Sequence, residues 1–298
     1  MLPLALLAGF LGAGKTTFLT SYAKRLAGRK IVFLVNEFAA TDVDSPLLAG
    51  CGEVIGISGG SIFCRCKVTD FIRELSSIAA RFPEADGVVV EASGMADPSA
   101  ARSLLDEAGL DRAFRFSGTV TLVDPGTLPK ILDTLPAAEK QVAAADLVVV
   151  TKADLHDEAA LLRCDALVRG INPAVRIIRA VRGACAVDPL RLDSQRWVDG
   201  VVAPCVDPLL VPIDVACPLP IALDILTAGL QALGDGLHRA KGFVRTAHGW
   251  AYVDWSAGRL TVEAGREGPA GLALIVAPDH VDQARRCADT IRDGGGTT

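Results

Sequence analysis

Residues 9–17 read Gly-Phe-Leu-Gly-Ala-Gly-Lys-Thr-Thr, with Gly9 and Gly14 separated by four residues and followed at once by Lys15 and Thr16. This is the Walker A spacing, and the chemistry it suggests is the cradling of phosphate. Glycines let backbone N–H groups converge on phosphate oxygens, and the N-terminus of the following helix adds partial positive charge. Lys15 would reach the β and γ phosphates, while the Thr16 hydroxyl would face Mg²⁺. Gly9, Gly12, Ala13, Gly14, Lys15, Thr16 and Thr17 are therefore the candidate phosphate-binding residues. An ordinary Gly-rich strand-to-helix turn would need both the motif and its context to arise by accident.

A phosphate loop does not select a base. Thr151-Lys152-Ala153-Asp154 follows an apolar run and has the spacing of a guanine-reading turn. There an aspartate accepts hydrogen bonds from N1–H and the exocyclic amine of guanine, a donor pair that adenine lacks, while the lysine stem covers the ring. Alone, a Lys-x-Asp at a strand end is better read as a solvated pair. With a phosphate loop upstream, Thr151, Lys152 and Asp154 become the candidate base site, although the first position is usually Asn.

These residues need elements to hold them. Short β-branched and leucine-rich runs at 3–8, 30–35, 53–57, 87–91, 119–123, 147–151 and 174–178 alternate with helical periodicity, the pattern of βα units around a parallel sheet. Most runs are continuously apolar, as strands covered by helices on both faces must be. Helices are expected over 16–26, closed by Gly28, and over 68–80, closed before Pro83. The phosphate motif thus follows a strand and opens a helix.

Pro204, Pro208, Pro212, Pro218 and Pro220 interrupt the pattern and suggest a linker over about 191–220. Beyond it, a helix at 221–233 and strands at 242–246, 250–255, 259–263 and 272–276, joined by tight glycine turns, imply a small α+β domain. The tail 294–298 reads as disordered. The expected architecture is α/β: a Rossmann-like P-loop NTPase domain at 1–195 and a smaller C-terminal α+β domain at 205–293.

Composition sets the class. Half of the 298 residues are hydrophobic and 22% are charged, enough for filled cores. A net charge of -5 gives no field that would attract nucleic acid or an anionic membrane. The apolar start lacks a basic leader, and no apolar run has the length of a membrane span, so a cytoplasmic protein is expected. The eight cysteines then read as reduced thiols, mostly buried small hydrophobes.

Taken together, several segments resemble the CobW-type GTPases, relatives of the nickel-insertion GTPases, along nearly the whole chain. Residues 9–17 have the family form; Asn36-Glu37-Phe38 is similar to its switch segment; Glu91-Ala92-Ser93-Gly94-Met95-Ala96-Asp97-Pro98 is similar to its Glu-containing Walker B region; and Arg239-Ala240-Lys241-Gly242 resembles a signature of its C-terminal domain. The resemblance implies a metallochaperone whose nucleotide state opens and closes a transition-metal site. It implies that Glu91 ends a buried strand and holds Mg²⁺ directly or through water. Gly94 would leave room for an N–H near the γ-phosphate, and Glu37 or Glu91 would organise metal or water. The bland readings are an exposed strand-end acid for Glu91 and a solvated loop acid for Glu37.

The metal segment departs from the family. In place of a Gly-Cys-x-Cys-Cys run the chain has Gly59-Gly60-Ser61-Ile62-Phe63-Cys64-Arg65-Cys66, with Ser61 and Phe63 at two cysteine places. Cys64 and Cys66 could begin a soft site for Zn²⁺, Co²⁺ or Cu⁺, completed by Glu37, Asp42, Asp44 or a histidine. They could equally be two free structural cysteines beside Arg65, or a redox pair whose thiolates the arginine favours.

The reading that follows is GTP + H₂O to GDP and phosphate, with Mg²⁺ as cofactor. Zn²⁺ or Co²⁺ would be cargo, the partner a client metalloprotein or corrinoid protein, and a nucleotide-dependent homodimer is compatible. Two alternatives stay open: a GTP-dependent activator of a metal- or corrinoid-containing enzyme with no transition-metal site of its own, and a small-molecule kinase, for which the chain shows no acceptor-binding motif.

Overall fold

The computed structural model describes residues 1–26, 28–36, 52–57, 61–64, 67–194, 210–256 and 258–293. Contacts divide the chain into two units. The first is built on strands β1 (Leu2–Gly9), β2 (Ile31–Asn36), β3 (Glu53–Ile57), β4 (Gly87–Glu91), β5 (Phe114–Val123), β6 (Leu147–Val150) and β7 (Arg176–Arg179). They form one sheet in the order β3-β2-β4-β1-β5-β6-β7, and every neighbouring pair is parallel. The chain fills one side of β1 with β2, β3 and β4, then the other with β5, β6 and β7. The C-terminal end of β1 therefore lies where the crossovers change direction, the place at which open parallel sheets take ligands.

Continuous apolar strands have this consequence because alternate side chains leave opposite faces. Leu4, Leu6, Val32, Leu34, Val88 and Val90 pack with Phe71, Leu75 and Ile78 of helix α2 (Val68–Arg81) and with Leu104 and Leu105 of helix α3 (Ala101–Glu107). Their neighbours Ala5, Leu7, Phe33, Val35 and Val89 pack on the other side against Phe18, Leu19 and Tyr22 of helix α1 (Lys15–Arg25). A third cluster joins Val148 and Val150 of β6 to helices α4 (Leu128–Thr134), α5 (Pro136–Ala143) and α6 (Glu158–Ile171). Strand β5 begins five residues earlier than its apolar run: Arg115, Ser117 and Gly118 interrupt the pattern, and pairing to β1 continues on both sides of a register shift that leaves Ser117 without a partner residue on β1.

The second unit is an antiparallel sheet in the order β11-β10-β9-β12-β8. Its strands are β8 (Val211–Ala216), β9 (Leu237–Thr246), β10 (Gly249–Ser256), β11 (Arg259–Ala264) and β12 (Gly271–Val276). Helices α7 (Leu223–Ala232) and α8 (Val281–Arg292) share its core, with Leu226 and Leu230 from α7 and Ala284 and Ile291 from α8.

Strand β8 corrects the expected linker. Pro212 is accommodated because β8 is an edge strand paired only to β12, and an edge position tolerates a residue without an N–H. Arg239 and Lys241 lie inside β9, and Arg239 is paired with Asp254 on β10 at 2.7 Å. The tail at 294–298 lies outside the described residues. No helix among the described residues is long and apolar enough to cross a membrane.

Candidate functional site

Strand β1 ends at Gly9 and α1 begins at Lys15, so the Walker A residues form the intervening loop and the first helical turn. Gly14, the residue before the helix, has φ +89°, a conformation that side-chain-bearing residues rarely adopt. The first turn of α1 carries no acidic residue, leaving its positive end for an anion. Lys15 Nζ donates to Gly9 O at 2.8 Å, folding the ammonium back across the loop. A phosphate placed there would meet both the cation and the helix N-terminus. Thr16 is half-buried beside it, and Thr17 is exposed.

The base-reading turn is fastened to this loop. Thr151 is buried directly after β6, and its Oγ1 lies 2.9 Å from Ala13 O and 3.1 Å from Val123 O. One hydroxyl proton serves both carbonyls, tying the phosphate loop to β5. Thr151→Val will leave Ala13 O without this donor, lowering stability by about 1–3 kcal/mol and weakening nucleotide binding severalfold; thermal unfolding and nucleotide titration check this.

Lys152 takes φ +52°, and its Nζ is 2.6 Å from Asp124 Oδ2. Asp124 also accepts from Gly126 N at 2.9 Å, and its Oδ1 is 3.1 Å from His156 Nε2. The lysine stem is thereby fixed, as a residue that covers a purine ring requires. Asp154 is exposed on the single 3₁₀ turn Ala153–Leu155, where a base can reach its carboxylate. Asp124 and His156 were not among the sequence candidates.

On the other side of β1, Glu91 closes β4 in register with Leu7. It is 2% exposed, so the exposed strand-end reading does not hold. A buried carboxylate needs compensating donors or a cation. Its oxygens and the Thr16 hydroxyl are hard donors of the kind that would fit Mg²⁺. Gly94 is held against the phosphate loop: a Cβ there would fall 2.8 Å from Leu11 N and 2.6 Å from the end of its side chain. Gln141, fully buried on α5, donates to Gly94 O at 3.1 Å and Ala96 O at 2.9 Å. It too went unnominated.

Cys64 is buried at 6% exposure, with Ile62 and Phe63 buried beside it. It departs from the expectation of a reduced thiol, because it is disulfide-bonded. As a disulfide its sulfur is not a thiolate, so metal ligation at Cys64 requires the reduced form. Cys66, Glu37, Asp42 and Asp44 lie outside the described residues. Among the described residues no group of three or more metal-ligating side chains converges. Cys164, Cys185, Cys217 and Cys287 are free thiols. Burial pushes Cys164 up to about 12 and Cys217 to about 11. Cys185 and Cys287 are raised by the same cause, so these four behave as small apolar residues.

A parallel sheet with a glycine-rich phosphate loop after its central strand defines a P-loop NTPase. The CobW/HypB/UreG nucleotide-binding domain model matches residues 3–179, and the chain belongs to that family. It is 31% identical over 235 residues to the zinc chaperone CobW of Pseudomonas aeruginosa, covering 67% of this chain and 62% of that protein. It is 30% identical over 191 residues to the zinc-regulated GTPase metalloprotein activator 1 of Schizosaccharomyces pombe, covering 61% and 46%. The chain thus spans about half to two thirds of the length of these curated relatives. The Zn(II)-bound YjiA GTPase from Escherichia coli shares the fold, with a TM-score of 0.50 at 21% identity over 98% of this chain and 99% of that one.

Proposed function

We propose that this protein is a GTPase that uses its nucleotide state to deliver or insert a transition metal into a client protein in the cytoplasm. The reading is carried by the 2.9 Å hydrogen bond from Thr151 to Ala13 O, which joins a phosphate loop and a guanine-type turn into one assembly that can address both ends of one nucleotide. The relatives' names, zinc chaperone and GTPase metalloprotein activator, support the cargo and client parts of the reading and favour zinc. The domain division at 1–195 and 205–293 belongs to the same proposal.

In this mechanism the N–H groups of the phosphate loop and Lys15 hold the β and γ phosphates. Asp154 reads the base, and Lys152 covers it. Thr16 and Glu91 would hold Mg²⁺, which would neutralise charge on the phosphates. The Gly94 N–H would face the γ-phosphate, and Glu37 is the candidate for organising water. Catalysis by such a site is positioning and preorganised charge rather than covalent chemistry. Release of phosphate from GTP but not from ATP tests the reaction; equal turnover of both would remove the guanine assignment.

Cargo binding is proposed at Cys64 and Cys66 in the reduced protein, with a carboxylate from 37–44 completing the shell. Co²⁺ titration under reducing conditions, followed by thiolate charge-transfer absorption, is expected to give one ion per chain. Binding will be about 10-fold tighter with a GTP analogue than with GDP, a coupling of ordinary size. Cys64→Ser/Cys66→Ser will abolish the absorption. Unchanged metal affinity in that variant would place the metal away from these cysteines, and absence of Co²⁺ binding by the reduced wild type would favour the second reading, an activator without its own transition-metal site, for which the disulfide at Cys64 is the supporting observation.

A further inference from the structure

Asn36 closes β2 and is 4% exposed. Its carboxamide joins three segments that are remote in sequence. Oδ1 accepts from Ile62 N at 3.0 Å and from Ser93 N at 3.2 Å, and Nδ2 donates to Ile57 O at 3.2 Å at the end of β3. Ile62 belongs to the buried turn that ends in Cys64, a turn closed by Cys64 N to Ser61 O at 3.0 Å and leading into α2 through Cys64 O. Ser93 precedes Gly94, the glycine pressed against Leu11 of the phosphate loop.

From this geometry we infer that Asn36 is a positioning residue that couples the nucleotide-facing Ser93–Gly94 turn to the conformation of the Cys64 turn. The inference rests on the phosphate-loop reading of the proposed function and adds to it the physical link. Two N–H donors share one acceptor atom, and the same planar amide is anchored through its nitrogen to a third segment. If Ser93 N turns toward a γ-phosphate, Oδ1 loses one of its two donors. The amide can then reorient only by disturbing its bonds to Ile62 N and Ile57 O. Buried polar groups do not leave partners without cost, so the Ser93 turn and the Cys64 turn favour one joint arrangement or the other. Gln141 holds the same turn from its other side, through Gly94 O and Ala96 O, so that Ser93 N is the end left to exchange partners.

The test uses the full-length reduced protein loaded with GDP or with a non-hydrolysable GTP analogue. The rate of Cys64 alkylation by iodoacetamide, resolved by peptide mapping, is expected to differ at least about fivefold between the two states. In Asn36→Ala the rates in the two states will converge to within about twofold while both nucleotides still bind, which a merely structural role would not produce. Amide hydrogen exchange of the wild type keeps the idea testable if the variant does not fold: the Ile62 and Ser93 amides are expected to change protection together on exchanging GDP for the analogue. A change at Ser93 with none at Ile62, no state dependence of either probe, or an Asn36→Ala variant that keeps the wild-type ratio would overturn the inference while leaving nucleotide binding and the Co²⁺ titration to stand. Failure of the wild type to bind either nucleotide would overturn the functional reading, and the coupling with it.

Discussion

Lys15→Ala will abolish tight binding of GTP and GDP and leave the protein folded. In this structure the ammonium makes a 2.8 Å hydrogen bond to Gly9 O from a half-buried, solvent-reachable loop. Losing that bond costs about 0.5–1.5 kcal/mol, within what a hydrogen bond normally contributes. The thermal midpoint will fall by only a few degrees, roughly 2–4 °C per kcal/mol for a unit of this size. The nucleotide loses far more. A cation that meets two phosphate groups makes charge-assisted bonds of about 1.5–3 kcal/mol each, so affinity will drop by at least about 100-fold. Isothermal titration calorimetry separates the two effects when paired with a melting curve. Unchanged affinity in a folded variant would mean that residues 9–17 do not hold the phosphates.

Much of the first unit was legible because its strands are buried on both faces. Runs such as 31–35 and 87–91 have no polar side to expose, which fixes a covered parallel sheet. The elements that escaped were those where tertiary position overrides local pattern. Strand β8 contains Pro212, which reads as a breaker until its edge position is known. Strand β9 starts before Gly242 because Arg239 finds Asp254 across the sheet. Helix α8 carries its core contacts on Val281, Ala284, Cys287, Ala288 and Ile291, a regular helical spacing, but most of these residues are small and stand among charged neighbours, so the segment does not read as an apolar run.

The same distinction runs through the site. The phosphate loop and the Thr151–Asp154 turn are each written in contiguous residues. Their supports are not contiguous. Asp124 lies 28 residues from the Lys152 it holds, Gln141 lies 47 from Gly94, and Asn36 lies 57 from Ser93. None of these pairs has a sequence signal. Only the strand order, which sets the ends of β2, β4, β5 and β6 near β1, brings them together. Thr151, a departure from the usual Asn, is the instructive case: its hydroxyl accounts for the position through Ala13 O and Val123 O.

Asp154→Asn will exchange guanine for xanthine specificity. Asp154 is exposed and lies on a short turn held by its neighbours, since Thr151 bonds the phosphate loop and Lys152 is anchored on Asp124. The substitution therefore leaves the fold and its melting temperature unchanged. What it alters is the hydrogen-bond pattern offered to the base. A carboxylate presents two acceptors, matched to the N1–H and exocyclic amine of guanine; an amide presents one acceptor and one donor, so its N–H group faces the guanine amine. One charge-assisted bond is lost and a buried donor is left unmatched, a loss on the order of 100- to 1,000-fold in GTP affinity. Xanthine carries a carbonyl where guanine carries the amine, so the same amide donor finds an acceptor, and xanthosine triphosphate will bind the variant more tightly than GTP. Adenine gains at most one bond, from the new amide N–H to its N1, because it has no N1–H for the amide oxygen and no polar group at C2, so xanthosine triphosphate gains more than ATP. Competition of GTP, xanthosine triphosphate and ATP against one fluorescent nucleotide reads all three affinities at once. A variant that kept the wild-type preference for GTP would place base recognition away from Asp154, even if Lys15→Ala had established the phosphate site.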